Sequence, residues 1–316
     1  MIRQRTIKNS VSTVGVGLHT GKKVKLTLKA APPNHGIVFC RTDLPAPMKI
    51  EVGPNIVQDT KLCSAIGTNE FKIATVEHLM SALSALGIDN ILIEVNGSEL
   101  PIMDGSSISF IFLIKSAVIE EQTAPKQFVF IKDTIEVADA DKLAKFEPYP
   151  GFMIDFTIDF THPAFKDDDS RVQIDFFKDS YIQEISRART FGFMHEVEFL
   201  RSNGLARGGS LDNAIVLDER KIINEDGLRF SGEFVRHKIL DAIGDLYLLG
   251  KPIIGKFTAY KSGHELNNRL LRQLAAEQDK WKIGNLDLND PETANLAQEY
   301  LKMSEQLNER AELVEE

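Results

Sequence analysis

A chain of 316 residues with 43% hydrophobic and 26% charged side chains is long enough for one large or two medium domains with a sizeable core. Its net charge of −9 argues against general nucleic-acid binding, which needs clustered Lys and Arg, but allows an anionic small molecule held by local basic residues. Two cysteines, Cys40 and Cys63, are too few for a disulfide framework or a four-thiolate zinc site, so a metal here must use His and carboxylates.

The opening stretch MIRQRTIKNSVST lacks the apolar run and cleavage site of a signal peptide, and the longest apolar run, ISFIFLI at 108–114, is too short to span a bilayer. A cytoplasmic protein is expected. KVKLTLKAA (23–31) and GIVFCRTD (36–43) read as half-buried strands, and NILIEV (90–95) as a more buried one. Before the last of these, TVEHLMSALSALG (75–87) predicts a helix capped by Thr75 and stopped at Gly87. Pro and polar residues in TAPKQ (123–127) predict a boundary between a first unit, 1–124, and a second, 125–284, which opens on a strand FVFIKDTIEV. Later FVRHKILDAIGDLYLLG leads into PIIGKFTAY, so V-E-H and V-R-H each begin a helix that ends at glycine and feeds a strand. That repetition predicts two related α+β halves. The remainder, 285–316, is acidic with periodic Leu and reads as a solvated terminal helix or a disordered tail.

The second of these helices carries a polar stripe. Steps of about 100° bring His237, Asp241 and Asp245 to one side of it, and Gly244 on the same stripe admits the close approach of another segment. Burying one imidazole and two carboxylates without partners is costly, so the stripe must be paired, hydrated or metal-bound. A salt-bridge network with Arg236 or Lys238 is the plainest account. The matching helix, however, offers Glu77 directly before His78. A His/His/Asp set leaves the fourth position of a tetrahedral zinc open, as catalytic sites do, and Glu77, about 100° round the helix from His78, is a candidate base. In AYKSGHELNN (259–268) a loop histidine, His264, is a candidate acid that Asp245 could orient and keep protonated.

Seven stretches in order, GVGLHTG (15–21), ATVEHL (74–79), ELPIMDGSS (99–107), SRARTFGF (186–193), NEDGLRF (224–230), FVRHKILDAIGD (234–245) and FTAYKSGH (257–264), make residues 1–284 resemble the UDP-3-O-acyl-N-acetylglucosamine deacetylase family. The resemblance implies an α+β fold of two ββααβ-type domains, related by internal duplication and packed face to face with the active site between them. It implies acetate removal from UDP-3-O-acyl-N-acetylglucosamine in the committed step of lipid A synthesis. His78, His237 and Asp241 would bind zinc, although carboxylate in the ligand set leaves iron open. Glu77 would be the general base, His264 the general acid supported by Asp245, and Thr190 an oxyanion donor. Lys238 would lie near the sugar or diphosphate. By the same resemblance Phe160 would pack on uracil beside Phe191, Lys142 and Lys261 would reach the nucleotide, and Leu18, His19 and Cys63 would line the site. Residues 193–222 would be an insert whose helix forms a passage for the acyl chain, with Ala206 and Arg207 where an apolar pair is easier to understand. A monomer is expected, with the nucleotide sugar as ligand, no nucleic acid and at most transient contact with a membrane surface. A zinc peptidase is disfavoured because HExxH is absent, while a non-catalytic nucleotide-sugar binding protein stays open.

Overall fold

The computed structural model describes residues 1–68, 70–165 and 170–309, the last four by backbone alone. Its helices are α1 (Glu77–Ala85), α2 (Ile108–Ser116), α3 (Tyr181–Glu184), α4 (Met194–Ser202), α5 (Glu233–Tyr247), α6 (His264–Ala276) and α7 (Ala294–Glu309). Strands alternate as the sequence predicts: in Lys23–Ala30, Val24, Leu26 and Leu28 are buried while Lys23 and Lys25 face solvent.

In the first half a five-stranded sheet has the order 11–16, 23–30, 91–95, 37–41, 48–51. Its central strand, Ile91–Val95, runs antiparallel to Lys23–Ala30 and parallel to Ile37–Arg41, and it follows α1 in the chain. The second half has a seven-stranded sheet in which five strands repeat this arrangement around Ile253–Tyr260, which runs antiparallel to Lys142–Glu147, parallel to Phe152–Thr157, and follows α5. Phe128–Ile131 and Trp281–Gly284 extend it from the start of Ile253–Tyr260. Hairpins 135–147 and 152–175 flank it as 11–30 and 37–51 flank the first. FVFIKDTIEV is two strands rather than one, Phe128–Ile131 and Ile135–Asp139. The amides of Lys132 and Asp133 turn away to donate to the Lys280 carbonyl, which breaks the run at its polar centre.

The halves are joined by buried polar contacts as well as by apolar packing. Lys126 is buried and donates to Asp89 at 2.7 Å and to the Gly87 carbonyl, and the Tyr247 hydroxyl donates to the Ile88 carbonyl.

Helix α7 is not a solvated tail. Leu286, Ala297 and Tyr300 are buried against Ile2, Phe128 and Ile254, and the Tyr300 ring meets Phe128 edge-on at 5.2 Å. Its partner surface comes from the far end of the chain, so the acidic composition of the tail hid it. Removing residues 286–316 is expected to lower Tm by several degrees, because burial of Leu and Tyr side chains is worth about 1.5–3 kcal/mol each. Deacetylation kcat should stay within about tenfold of the parent. A thermal melt with turnover on the shortened chain checks both, and an unchanged Tm would mean that this packing contributes nothing.

Candidate metal centre and active site

The site is built where α1 crosses α5. A Cβ on Gly244 would land on the Glu77 backbone, so only glycine lets the helices approach this closely. The crossing brings Nε2 of His78 to 3.5 Å and Nε2 of His237 to 3.3 Å from Asp241 Oδ1. Tetrahedral zinc with bonds of 2.0–2.2 Å needs ligand atoms roughly 3.3–3.5 Å apart, so these contacts are the spacing of shared coordination. His237 Nδ1 faces the Ala188 carbonyl at 3.0 Å, which makes Nδ1 the N–H and leaves Nε2 a bare lone pair aimed at the cluster. Burial pushes the His237 pKa down to about 3, with Asp241 opposing, so this ring is neutral as a ligand must be. Asp241 stays ionised despite its burial, its pKa held well below the usual carboxylate range, with the Lys238 ammonium 2.8 Å from its Oδ2. These three donors therefore fit a divalent ion, and they form such a group among the described residues.

Around this centre stand the acid–base groups. Glu77 is fully buried, its Oε2 accepts the Ser64 amide, and burial raises its pKa to about 7 against the lowering pull of His264 and His78. His264 is the first residue of α6, and its Nδ1 lies 2.8 Å from Asp245 Oδ2. Burial there opposes the charged ring, but Asp245 overcomes it and lifts the pKa to about 9. Asp245 also accepts from the Ser64 hydroxyl and the Asn267 amide, so its carboxylate is fixed by three contacts, two from α6 and one from the loop at Ser64. Lys238 donates to Asp241 Oδ2 at 2.8 Å and lies over the Phe191 ring at 5.7 Å.

Two non-glycine residues with positive φ lead into these groups, Thr75 (φ 58) before Glu77 and Lys261 (φ 55) before His264. Such backbone costs about 1–3 kcal/mol and persists only where neighbours enforce it. Thr75 does not cap α1 as the sequence suggested, since its hydroxyl donates to Glu99 and the helix has no side-chain cap.

A cleft enclosing about 1360 Å³ of empty space, including its open mouth, leads to the centre past Thr190, Phe191, Lys238 and His264, with Phe160 and Lys142 on its wall. The Thr190 hydroxyl has no partner among the described residues, while its amide and carbonyl are fixed by Gly105 and Ile215. Phe160 packs against Phe165 and Phe191 and is 36% exposed. Lys261 does not line the cleft, and its ammonium is paired with Asp141 and Asp159. Leu18 and His19 also lie outside it, on a turn whose His19 and Thr20 amides are gripped by Glu99 and whose Leu18 and His19 carbonyls bond residues 208 and 207. Arg207 is exposed on that contact, and Ala206 rather than Arg207 is buried. Cys63 is buried behind Glu77, where desolvation and that carboxylate push its thiol up, away from thiolate. Residues 194–202 form α4, between the parallel strands Phe191–Phe193 and Ile215–Leu217.

A family model described as LpxC, UDP-3-O-acyl N-acetylglycosamine deacetylase, matches residues 4–276. The chain belongs to this family. LpxC members are deacetylases of lipid A biosynthesis and metalloenzymes, and the His/His/Asp group lies within the matched span, as do Glu77 and His264. The match ends with α6, so α7 and its packing are additions outside the LpxC span. Among the described residues no helix is long and apolar enough to cross a membrane.

Ser64, Asn267 and the Ala188 carbonyl were not foreseen. Only Asn267 had a signal, standing three residues after His264 on one helical face. Arg189 and Glu233 were also missed: this buried ion pair at 2.8 Å ties the loop carrying Ala188 and Thr190 to the first turn of α5.

Proposed function

We propose that this chain is a zinc-dependent hydrolase that removes the acetyl group from UDP-3-O-acyl-N-acetylglucosamine in the cytoplasm, acting as a monomer. The observation that carries the reading is the convergence of His78, His237 and Asp241, with Glu77 and His264 flanking them, inside a chain of the deacetylase family.

Zinc held by those three residues supplies Lewis acidity to the acetamide carbonyl and to the attacking water. Glu77, once deprotonated, takes a proton from that water. His264, held as imidazolium by Asp245, gives a proton to the departing amine nitrogen. The free Thr190 hydroxyl donates to the oxygen that gains negative charge. Lys238, fixed by Asp241, offers its remaining donors to the sugar or diphosphate. Phe160 and Phe191 give uracil an aromatic wall, and Lys142, which has no ion pair among the described residues, is better placed than the paired Lys261 to meet phosphate. The contact of Leu18 and His19 with Gly208 and Arg207 makes them a margin for the acyl chain. The matching strand orders support reading 1–124 and 125–284 as two units related by duplication, with 193–222 inserted and 285–316 appended.

His237→Ala removes one ligand and should lower bound zinc well below one equivalent. Acetate release should fall about a thousandfold or more, since the Lewis acid supplies several kcal/mol. Metal analysis with an acetate assay on the nucleotide sugar checks this. Stoichiometric zinc without acetate release by the parent would favour a binding protein instead.

A further inference from the structure

Glu233 opens α5 and is fully buried, so its carboxylate must be satisfied by protein groups alone. Four N–H donors do this. Oε1 accepts the Arg189 amide at 3.1 Å and Nε at 2.8 Å, while Oε2 accepts Arg189 Nη2 at 3.0 Å and the Arg229 amide at 2.7 Å. The guanidinium thus meets the carboxylate as a fork. Arg189 also reaches the Gly227 carbonyl, and Arg229 Nη1 holds the Arg187 carbonyl and Asp104. Residues 187 and 189 are each pinned, and between them lies Ala188, whose carbonyl faces His237 Nδ1. Glu233 and His237 share one face of α5 at four-residue spacing, so consecutive loop residues clamp onto consecutive turns of the helix. Neither Glu233 nor Arg189 lines the catalytic cleft.

A neutral imidazole has a single N–H, and two acceptors compete for it at His237: the Ala188 carbonyl 3.0 Å from Nδ1 and Asp241 Oδ1 3.3 Å from Nε2. Only a proton on Nδ1 leaves Nε2 free for a metal. We propose that Glu233 and Arg189 are positioning residues, which hold the 187–190 loop so that the Ala188 carbonyl keeps the His237 proton on Nδ1 and Thr190 keeps its place at the cleft. The consequence for catalysis rests on the zinc deacetylase reading above, whereas the consequence for the ring does not. Stability alone does not call for such a pair, since well-packed apolar residues of similar volume often replace a buried ion pair without loss. What apolar residues lack is a directional grip on one carbonyl.

The test follows the ring itself, by nitrogen-15 NMR of the metal-free full chain labelled at histidine, together with zinc affinity and acetate release. In the parent His237 is expected in the Nδ1–H form. Glu233→Gln puts an amide nitrogen where the carboxylate met only N–H donors, so the loop should loosen, the Nε2–H form should appear at His237, and zinc should bind about tenfold or more weakly. In deacetylation kcat should fall about tenfold with KM within about twofold, because neither residue lines the cleft. Arg189→Lys keeps the charge but not the fork, and it should move the same readouts in the same direction by less. A parental His237 spectrum and parental zinc affinity in Glu233→Gln, whatever its Tm, would make the pair a structural brace and overturn the proposal; in Arg189→Lys they would overturn the part given to Arg189. An Nε2–H ring in the parent would overturn it outright. If a melt shows that Glu233→Gln does not fold, Arg189→Lys decides on the same two measurements. Spectra and zinc affinity that move as expected in a chain whose parent releases no acetate would uphold the positioning role and overturn the deacetylase reading.

Discussion

Replacing Glu77 by Gln is expected to lower kcat/KM by about a hundredfold or more and to erase the acidic limb of its pH profile, with zinc still bound. The sign follows from what each group must do. A base must be deprotonated, so the rate climbs as pH rises through the Glu77 pKa, which burial has lifted to about 7. An acid must be protonated, so the rate falls as pH rises through the His264 pKa, which Asp245 has lifted to about 9 against its burial. The parent should therefore show a bell with its maximum between the two. A cation among His78, His237 and Asp241 disfavours protons on both groups, so in the loaded enzyme both limbs sit at lower pH than these values. Glu77→Gln keeps shape and hydrogen bonding but cannot take the proton, and His264→Ala should flatten the alkaline limb instead. An acidic limb that survives in Glu77→Gln at near-parental rate would remove Glu77 from the role of base.

Gly244→Ala should cost far more than its size suggests. On helix propensity alone the change would stabilise α5 by about 1 kcal/mol. Against that, the new Cβ lands on the Glu77 carbonyl and Cα, which are backbone and cannot rotate away. Overpacking of this kind costs about 1–3 kcal/mol, and here it must part α1 from α5. The ligand set straddles that gap, His78 on one side and His237 with Asp241 on the other. A displacement of about 1 Å is enough to reduce catalysis about a hundredfold. Lower Tm, less than one zinc per chain and a hundredfold lower kcat/KM are expected together. A variant with parental metal content and a raised Tm would show that the helices have slack at this point.

Those two predictions rest on features legible in the sequence for a common reason: periodicity and cost. Polar residues at four-residue spacing on an apolar helix need an explanation, and a glycine among them needs another. The structure supplies both, with ligand atoms on one face of α5 and Glu77 of α1 against Gly244. What stayed hidden depends on contacts distant in the chain. Ser64 supports Asp245 from 181 residues away, and nothing in TKLCSAIG announces it. Thr75 looked like a cap because Thr before a helix usually is one, but a tertiary hydrogen bond to Glu99 took the hydroxyl and forced a positive φ. The tail misled through composition: Glu299 and Glu305 of α7 face solvent, while Ala297 and Tyr300 are buried against a surface made by Ile2, Phe128 and Ile254. Lys261 matched a nucleotide contact by its neighbours in sequence, yet two nearby aspartates claim its charge.

The strand orders carry a consequence for how the polypeptide comes together as it is made. In the first sheet the central strand, 91–95, is the last to emerge, after both hairpins; in the second, 253–260 emerges after both hairpins, and only the edge strand Trp281–Gly284, which pairs with Phe128–Ile131, comes later. Hairpins are local and form early, whereas insertion between them requires long-range closure, so each half waits with two bare inner edges. The segment that fills the second gap is preceded directly by α5, which carries His237 and Asp241, and followed by His264. Closing the sheet and completing the catalytic centre are thus one event, and pulsed hydrogen exchange during refolding should find Ile253–Tyr260 and α5 gaining protection together, after the hairpins. Before that moment the nascent chain has exposed edges and no chemistry; afterwards it has neither open edges at its core nor a missing ligand.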